Sequence, residues 1–321
     1  MTPETVQTLL RETFRMMNAG GEITFSFQGP EPTRAGIEFY REFVRLARES
    51  CPSGCYLFWS IHTFGLDLDK AWMNLFSKYD FEVSILDPIA HRELDTRKRV
   101  RAAIRGLMRR EVVVNAVCVL TREATGNPEL LYQNLRRLGS RSIEFRPCPD
   151  WDSPENENAP TNPMLANFLC RIFEEWLDEW RSGKYVFVNL FDNYIRLLQG
   201  KNCMGCTVLG RCEGVVLIDW DGSIYPCEKY KMEAYRIGML GEPGLEAAIR
   251  SSQYQLWLQS GNQKPKECLE CSKNRLCNGG CKGDWITDGA GMHHPYCSAY
   301  KRFFLYALAD LVQISRETKV T

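Results

Sequence analysis

Apolar positions in the first half of the chain switch repeatedly between two periods. Val6, Leu9, Leu10, Phe14 and Met17 recur at helical spacing, which predicts an amphipathic helix over residues 3–18. Gly20-Gly21 closes it, and the run Ile23-Thr24-Phe25-Ser26-Phe27-Gln28 then predicts a strand, broken by Gly29-Pro30-Glu31-Pro32. The same reading gives strands over 56–63, 81–86, 112–120 and 142–146. Helices alternate with them over 35–49, 69–78, 93–109 and 127–138, and a long helix covers 164–181. Strand and helix alternate five times, the signature of repeated βα units on a parallel sheet. Val112-Val113-Val114-Asn115-Ala116-Val117 is the near-continuous apolar run of a strand covered on both faces. Such sheets bind ligands at the C-terminal ends of their strands, here residues 28–32, 61–65, 86–91, 120–123 and 146–150. Residues 150–163, rich in Pro, Asn, Asp and Glu, read as a loop over that end, and 187–198 as a link to the cysteine-rich region.

Composition narrows the partners. The chain has 321 residues, with 40 basic and 40 acidic side chains, so no net charge calls for nucleic acid or an anionic membrane. Apolar runs are strand-length and none spans a bilayer. The polar start Met1-Thr2-Pro3-Glu4-Thr5 opens a helix and is no signal peptide, so fourteen cysteines point to metal ligation in a reducing cytoplasm rather than to a secreted disulfide scaffold.

Nine of those cysteines lie between Cys203 and Cys297. They run Cys206-x5-Cys212, then Cys227, then Cys268-x2-Cys271-x5-Cys277-x3-Cys281, then Cys297. Eight thiols make two sets of four, as two sulfur-ligated centres require. Asp221-Gly222, between 215–220 and 223–225, is a tight-hairpin signal that carries Cys227 back toward Cys212. Structural zinc at the same thiols is the plainer alternative, and Cys203 reads as a bystander.

The cysteine pattern resembles the SPASM domain of radical S-adenosylmethionine (SAM) enzymes. Phe27-Gln28-Gly29-Pro30-Glu31-Pro32, Tyr225-Pro226-Cys227-Glu228-Lys229-Tyr230, Cys277-Asn278-Gly279-Gly280-Cys281-Lys282 and Tyr296-Cys297-Ser298-Ala299-Tyr300-Lys301 are similar to anaerobic sulfatase-maturating enzymes, which oxidise a Cys or Ser of a sulfatase to formylglycine. The resemblance implies a truncated partial (β/α) barrel over 1–185, with about five parallel strands and the family's first strand missing. A SPASM domain with a C-terminal helix would follow over 186–321. It implies two [4Fe-4S] clusters, one on Cys206, Cys212, Cys227 and Cys281, the other on Cys268, Cys271, Cys277 and Cys297. It puts Glu228 in the place of the family's proton-accepting carboxylate, Gln28 beside the substrate and Glu31 in the SAM loop.

The family's C-x3-C-x2-C motif, which leaves one iron open for SAM, is not in this sequence. Cys51-Pro52-Ser53-Gly54-Cys55 has the first spacing, but Phe58 stands at the third position and the pair precedes the wrong strand. Either Met1 is an internal methionine of a longer enzyme or the chain is a degenerate relative. Three SAM-side loops favour degeneracy. The family's G-G-E-P is Gly29-Pro30-Glu31-Pro32, where Pro30 removes a backbone donor. Its Q-T-N-G is His62-Thr63-Phe64-Gly65, and its S-x-D-G is Ile85-Leu86-Asp87-Pro88.

The expected function is therefore a degenerate radical-SAM-like protein that carries two clusters, does not cleave SAM itself, and serves peptide or partner-enzyme binding or electron transfer. An unpaired sheet edge near 23–28 could accept another chain. The alternative is an incomplete maturase-like enzyme acting on a sulfatase-like peptide. His62, His91, His293 and His294 have no shared ligand spacing. Trp176 and Trp180 read as core, and the basic stripe Arg97, Lys98, Arg99, Arg101 and Arg105 as a solvated helix face.

Overall fold

The computed structural model describes residues 1–89, 93–148, 157–212, 214–261, 263–289 and 291–317. After helix α1 (Pro3–Arg15) come β1 (Glu22–Phe27), α2 (Ile37–Ser50), β2 (Tyr56–Thr63), α3 (Lys70–Lys78), β3 (Phe81–Leu86), α4 (Leu94–Met108), β4 (Val113–Leu120), α5 (Pro128–Leu138), β5 (Ser142–Pro147), α6 (Asn162–Arg181), β6 (Phe187–Val188) and α7 (Asn189–Leu198). The six strands form one sheet in chain order, with β1 at one end, and the β3–β4, β4–β5 and β5–β6 pairs are parallel. The five expected strands are all present. The sixth, β6, pairs with β5 at Ser142↔Phe187 and Ile143↔Val188. Two residues display no period, so the stretch 187–198 read as a link when it is a strand followed by a helix.

Local chemistry sets the helix ends. Asp69 accepts from the backbone N–H groups of Ala71 and Trp72, Asn127 from Leu130, and Thr161 from Met164, so each caps its helix. Gly139 ends α5 in the left-handed region that an L side chain enters at a cost. The one polar residue in the middle of β4, Asn115, is buried and satisfied from both sides. Its amide donates to Glu82 on β3, and its carbonyl accepts from the Ser142 hydroxyl on β5 at 2.7 Å.

The chain divides into two compact units. One comprises Met1–Ser26, Thr33–Trp59 and Arg211–Gln263. Here Phe14, Phe25, Phe43 and Trp59 pack edge-on and stacked between α1, α2 and the first two strands. A small antiparallel sheet of β7 (Leu217–Ile218), β8 (Ser223–Tyr225) and β9 (Gly238–Met239) follows, then α8 (Leu245–Arg250) and α9 (Ser252–Ser260). The Asp221-Gly222 turn is as expected, with Gly222 at φ +94. The Glu12 carboxylate of α1 accepts from Gly241 and Leu245 N–H at 2.8 and 2.7 Å, binding two segments far apart in sequence.

The other unit comprises Phe27–Pro32, Ser60–Gly210 and Lys264–Thr321. It adds α10 (Lys266–Leu269), α11 (Asn274–Cys277), the hairpin of β10 (Ile286–Asp288) and β11 (Gly291–His293), and α12 (Cys297–Glu317). Phe303 of α12 stacks on Phe191 of α7 and meets Phe173 of α6 edge-on, at 5.6 and 5.8 Å. Trp176 is fully buried beside them and donates its indole N–H to the Val186 carbonyl at 2.9 Å, which places it in the core. Among the described residues no helix is long and apolar enough to cross a membrane.

Asp192 at the start of α7 accepts from Val188 N–H at 2.7 Å and from the Tyr185 hydroxyl, yet burial pushes its carboxyl up to about 7. A carboxyl raised in the folded state contributes stability at low pH that is lost as pH climbs from the unfolded value of 3.8 toward 7. Unfolding free energies from denaturant titrations should therefore fall between pH 5 and pH 7.5, by a few kcal/mol at most. Asp192→Asn should flatten that slope.

Candidate functional site

Cys268 lies in α10, Cys271 just beyond it, Cys277 ends α11 and Cys297 begins α12. All four line one small pocket, together with Glu267, Lys273, Gly279, Lys301 and Phe304. Three devices deliver them. Asn278 turns left-handed after α11, at φ 52. Gly279 follows at φ +81, where a Cβ would stand 3.5 Å from the Cys268 sulfur. The Trp285 indole N–H holds the Gly279 carbonyl at 2.7 Å. On the other wall, the Asn162 side chain bonds the Pro295 carbonyl and the Ala299 N–H, fixing the entry to α12.

Burial and neighbouring thiols push the Cys277 thiol up to about 11 and raise Cys268 as well. Burial also raises Cys297, but the Lys301 ammonium pulls it back, and the helix N-terminus favours a thiolate there. Among the described residues no group of three or more His, Cys, Asp or Glu is drawn close enough to hold one metal ion.

The other four cysteines are divided between the units. In the first, the Tyr254 phenol is close enough to feel both Cys212 and Cys227, and Gly261 admits Cys212 where a Cβ would come within 3.2 Å of its sulfur. In the second, residues 206–210 lie on 278–281: Asn278 Nδ2 donates to the Val208 carbonyl at 3.0 Å, and Gly210 touches the Asn278 backbone where no Cβ fits. Cys203 donates to the Asn193 carbonyl at 3.7 Å.

Of the residues expected beside substrate or SAM, Gln28 and Glu228 are exposed, and Glu228 opens a short 3-10 turn after Cys227. Glu31 is half-buried. Its carboxylate accepts from the Thr63 hydroxyl at 2.8 Å and from Phe64 N–H at 3.0 Å. Asp87 Oδ1 accepts from Val119 N–H at 2.7 Å. Each carboxylate thus serves the neighbouring strand, Glu31 the end of β2 and Asp87 the end of β4. Cys51 and Cys55 are half-buried, the latter donating to Asn18 O at 3.2 Å.

Arg99 pairs with Asp67, and the rest of the basic stripe is exposed on α4. His293 ends β11 and His294 packs on Tyr300, so the pair is more built-in than a surface loop. His91 and Asp150 lie outside the described residues. Sequence reasoning passed over Lys301 and Tyr254. Lys301 had one legible sign, its position one helical turn beyond Cys297.

Residues 210–272 match the model of SPASM, an iron–sulfur cluster-binding domain. The Cysteine-type anaerobic sulfatase-maturating enzyme of Clostridium novyi (strain NT) is 27% identical over 97% of this chain and 87% of its own length. The chain carries a SPASM domain and is homologous to anaerobic sulfatase-maturating enzymes. The Serine-type enzyme of Klebsiella aerogenes is also 27% identical, over 97% of this chain and 79% of its own. The solved structure of native anSMEcpe with bound AdoMet and Cp18Cys peptide superposes with a TM-score of 0.91 at 23% identity, covering 99% of this chain and 92% of that one. Streptococcus suis SuiB bound to precursor peptide SuiA gives 0.55 at 15% identity, over 87% and 65%. The radical SAM fold with a C-terminal SPASM domain follows, and the thiols of this SPASM chain fit an iron–sulfur cluster, since four of them ring one pocket.

Gly210→Ala sets a side chain against the Asn278 backbone in a left-handed position, and should cost about 2–4 kcal/mol by denaturant unfolding. It should also lower iron content after anaerobic reconstitution.

Proposed function

We propose that the chain binds two [4Fe-4S] clusters, one on Cys268, Cys271, Cys277 and Cys297 and one on Cys206, Cys212, Cys227 and Cys281. In this reading it serves a peptide or partner enzyme by binding or electron transfer and does not cleave SAM itself. The convergence of the first four thiols on one pocket carries the reading. A bound cluster of this kind supplies one-electron transfer. The protein's part is to hold eight thiolates, to keep Cys277 half-buried and to place Lys301 on the same pocket as Cys297.

The SAM-side loops support the second half of the proposal. Pro30 offers no N–H, and the carboxylates of Glu31 and Asp87 are engaged by the protein's own donors. A peptide or partner would meet the C-terminal ends of the strands near Gln28, or add to the outer edge of β1. Relatives and neighbours that act on or bind peptides support that partner class.

A second reading is favoured by alignment to maturases along 97% of the chain. It is a maturase-like enzyme that forms formylglycine in a sulfatase-type peptide, with Glu228 as proton acceptor.

Anaerobically reconstituted protein should hold about eight irons. Cys277→Ala should hold about half of them and Cys203→Ala all. Incubation with SAM and dithionite should give no 5′-deoxyadenosine by mass spectrometry; its formation by this chain would favour the enzyme reading and end the proposed one.

A further inference from the structure

Two cysteines outside both proposed ligand sets stand at the ends of one turn. Cys51 closes α2, and Pro52, Ser53 and Gly54 carry the chain to Cys55 at the foot of β2. The turn is tight. Cys55 N–H donates to the Pro52 carbonyl at 3.1 Å, and Gly54 takes the left-handed position at φ +77. The Cys51 thiol points back across it, its sulfur 3.7 Å from the Pro52 carbonyl oxygen and 3.9 Å from that of Cys55. The first sulfur thus already reaches the backbone of the second cysteine. The Cys55 thiol donates to the Asn18 carbonyl at 3.2 Å. Both are free thiols and only half-buried, so each is open in part to solvent.

We propose that Cys51 and Cys55 form a reversible disulfide by exchange with a low-molecular-weight disulfide, which makes the turn between α2 and β2 a redox-sensing site separate from the cluster thiols. The site needs neither cluster. One thiolate of the pair attacks a sulfur of the incoming disulfide and expels one thiol, leaving a mixed disulfide. The other then attacks the protein sulfur and expels the second thiol. The pair loses two electrons and two protons and gains one S–S bond, and the incoming disulfide leaves as two reduced thiols. Cys51 suits the second step. It ends a helix, where the macrodipole disfavours a thiolate, and burial together with the neighbouring Cys55 pushes its thiol up. Cys55 accordingly makes the first attack. Closure asks Cys55 to leave Asn18, which lies in the link between α1 and β1. The same turn holds that link through Gly20 N–H on the Gly54 carbonyl at 3.0 Å and Tyr56 N–H on the Gly21 carbonyl at 2.9 Å. Oxidation thus trades one of three bonds between the two connections for a covalent clasp on the turn itself. In a reducing compartment a disulfide that forms is usually transient and redox-sensing, and exposed bridges are the labile kind.

The experiment is differential alkylation of the full chain, purified without oxygen and equilibrated in glutathione buffers that run from fully reduced to an excess of glutathione disulfide. Each sample is quenched with acid, alkylated with N-ethylmaleimide and digested with trypsin. Residues 49–70, between Arg48 and the cut after Lys70, form one peptide with Cys51 and Cys55 as its only cysteines. In reduced buffer this peptide should carry two maleimides. In oxidised buffer it should carry none and be lighter by two hydrogens, and dithiothreitol should restore both sites. Cys51→Ser should stop at the mixed disulfide, with one glutathione on Cys55, and Cys55→Ser should take up glutathione more slowly. A peptide that keeps two maleimides in oxidised buffer overturns the proposal. So does one that carries glutathione on both cysteines without closing, or one that closes only after unfolding in urea. Faster uptake by Cys55→Ser than by Cys51→Ser overturns the order of attack. These readouts stand whether or not the chain binds iron, so a failure of the cluster reading leaves them intact.

Discussion

Bringing four thiols to one pocket is the constraint that shapes the C-terminal third of the chain. Cys268, Cys271 and Cys277 come from a short stretch whose only regular structure is two one-turn helices. Such turns cannot hold a geometry alone, since isolated helices of that length are marginal in water. The stretch is fixed from outside, by Trp285 on Gly279, by Asn278 on Val208 and by Lys264 on Asn274. Cys297 arrives on a 21-residue helix that packs on α6 and α7 through Phe303. The site therefore depends on the aromatic core of its unit as much as on its own loops.

The loops after the first three strands of the same unit show the reverse economy. At the loops after β1, β2 and β3, polar groups that could face a ligand answer the protein's own backbone. Glu31 ties the first loop to the second, and Asp87 ties the third strand to the fourth. Each bond satisfies a donor that would otherwise be lost at a strand end. These loops are settled by internal needs, while the cysteine-rich end keeps four thiols facing one small space.

Much of the fold was legible because its signals are long. Eight-residue strands and helices of nine to twenty residues carry a period, and Asp69, Asn127 and Thr161 mark helix starts by their chemistry. Elements of two to four residues, such as β6, α10 and α11, were not legible, since tertiary pairing makes them. The cysteine sets were visible as spacing. What spacing could not reveal was the environment of each sulfur: the Lys301 side chain lining the pocket with Cys297 and the Tyr254 phenol beside Cys212 and Cys227. Such contacts join residues that no local pattern links, except where a helix places them one turn apart.

The placement of Cys297 as the first residue of α12 bears on the order of events during synthesis. Three thiols of the pocket leave the ribosome before the fourth. The fourth cannot take its place until Phe303 and Phe304, beyond it in sequence, have emerged and found the core. In the interval between the emergence of Cys277 and that of α12 the nascent chain thus offers three thiols and an unfinished wall. Whatever delivers iron and sulfide then meets a nearly completed protein, and a ribosome stalled before the last helix leaves a product able to fold its sheet yet unable to close this centre.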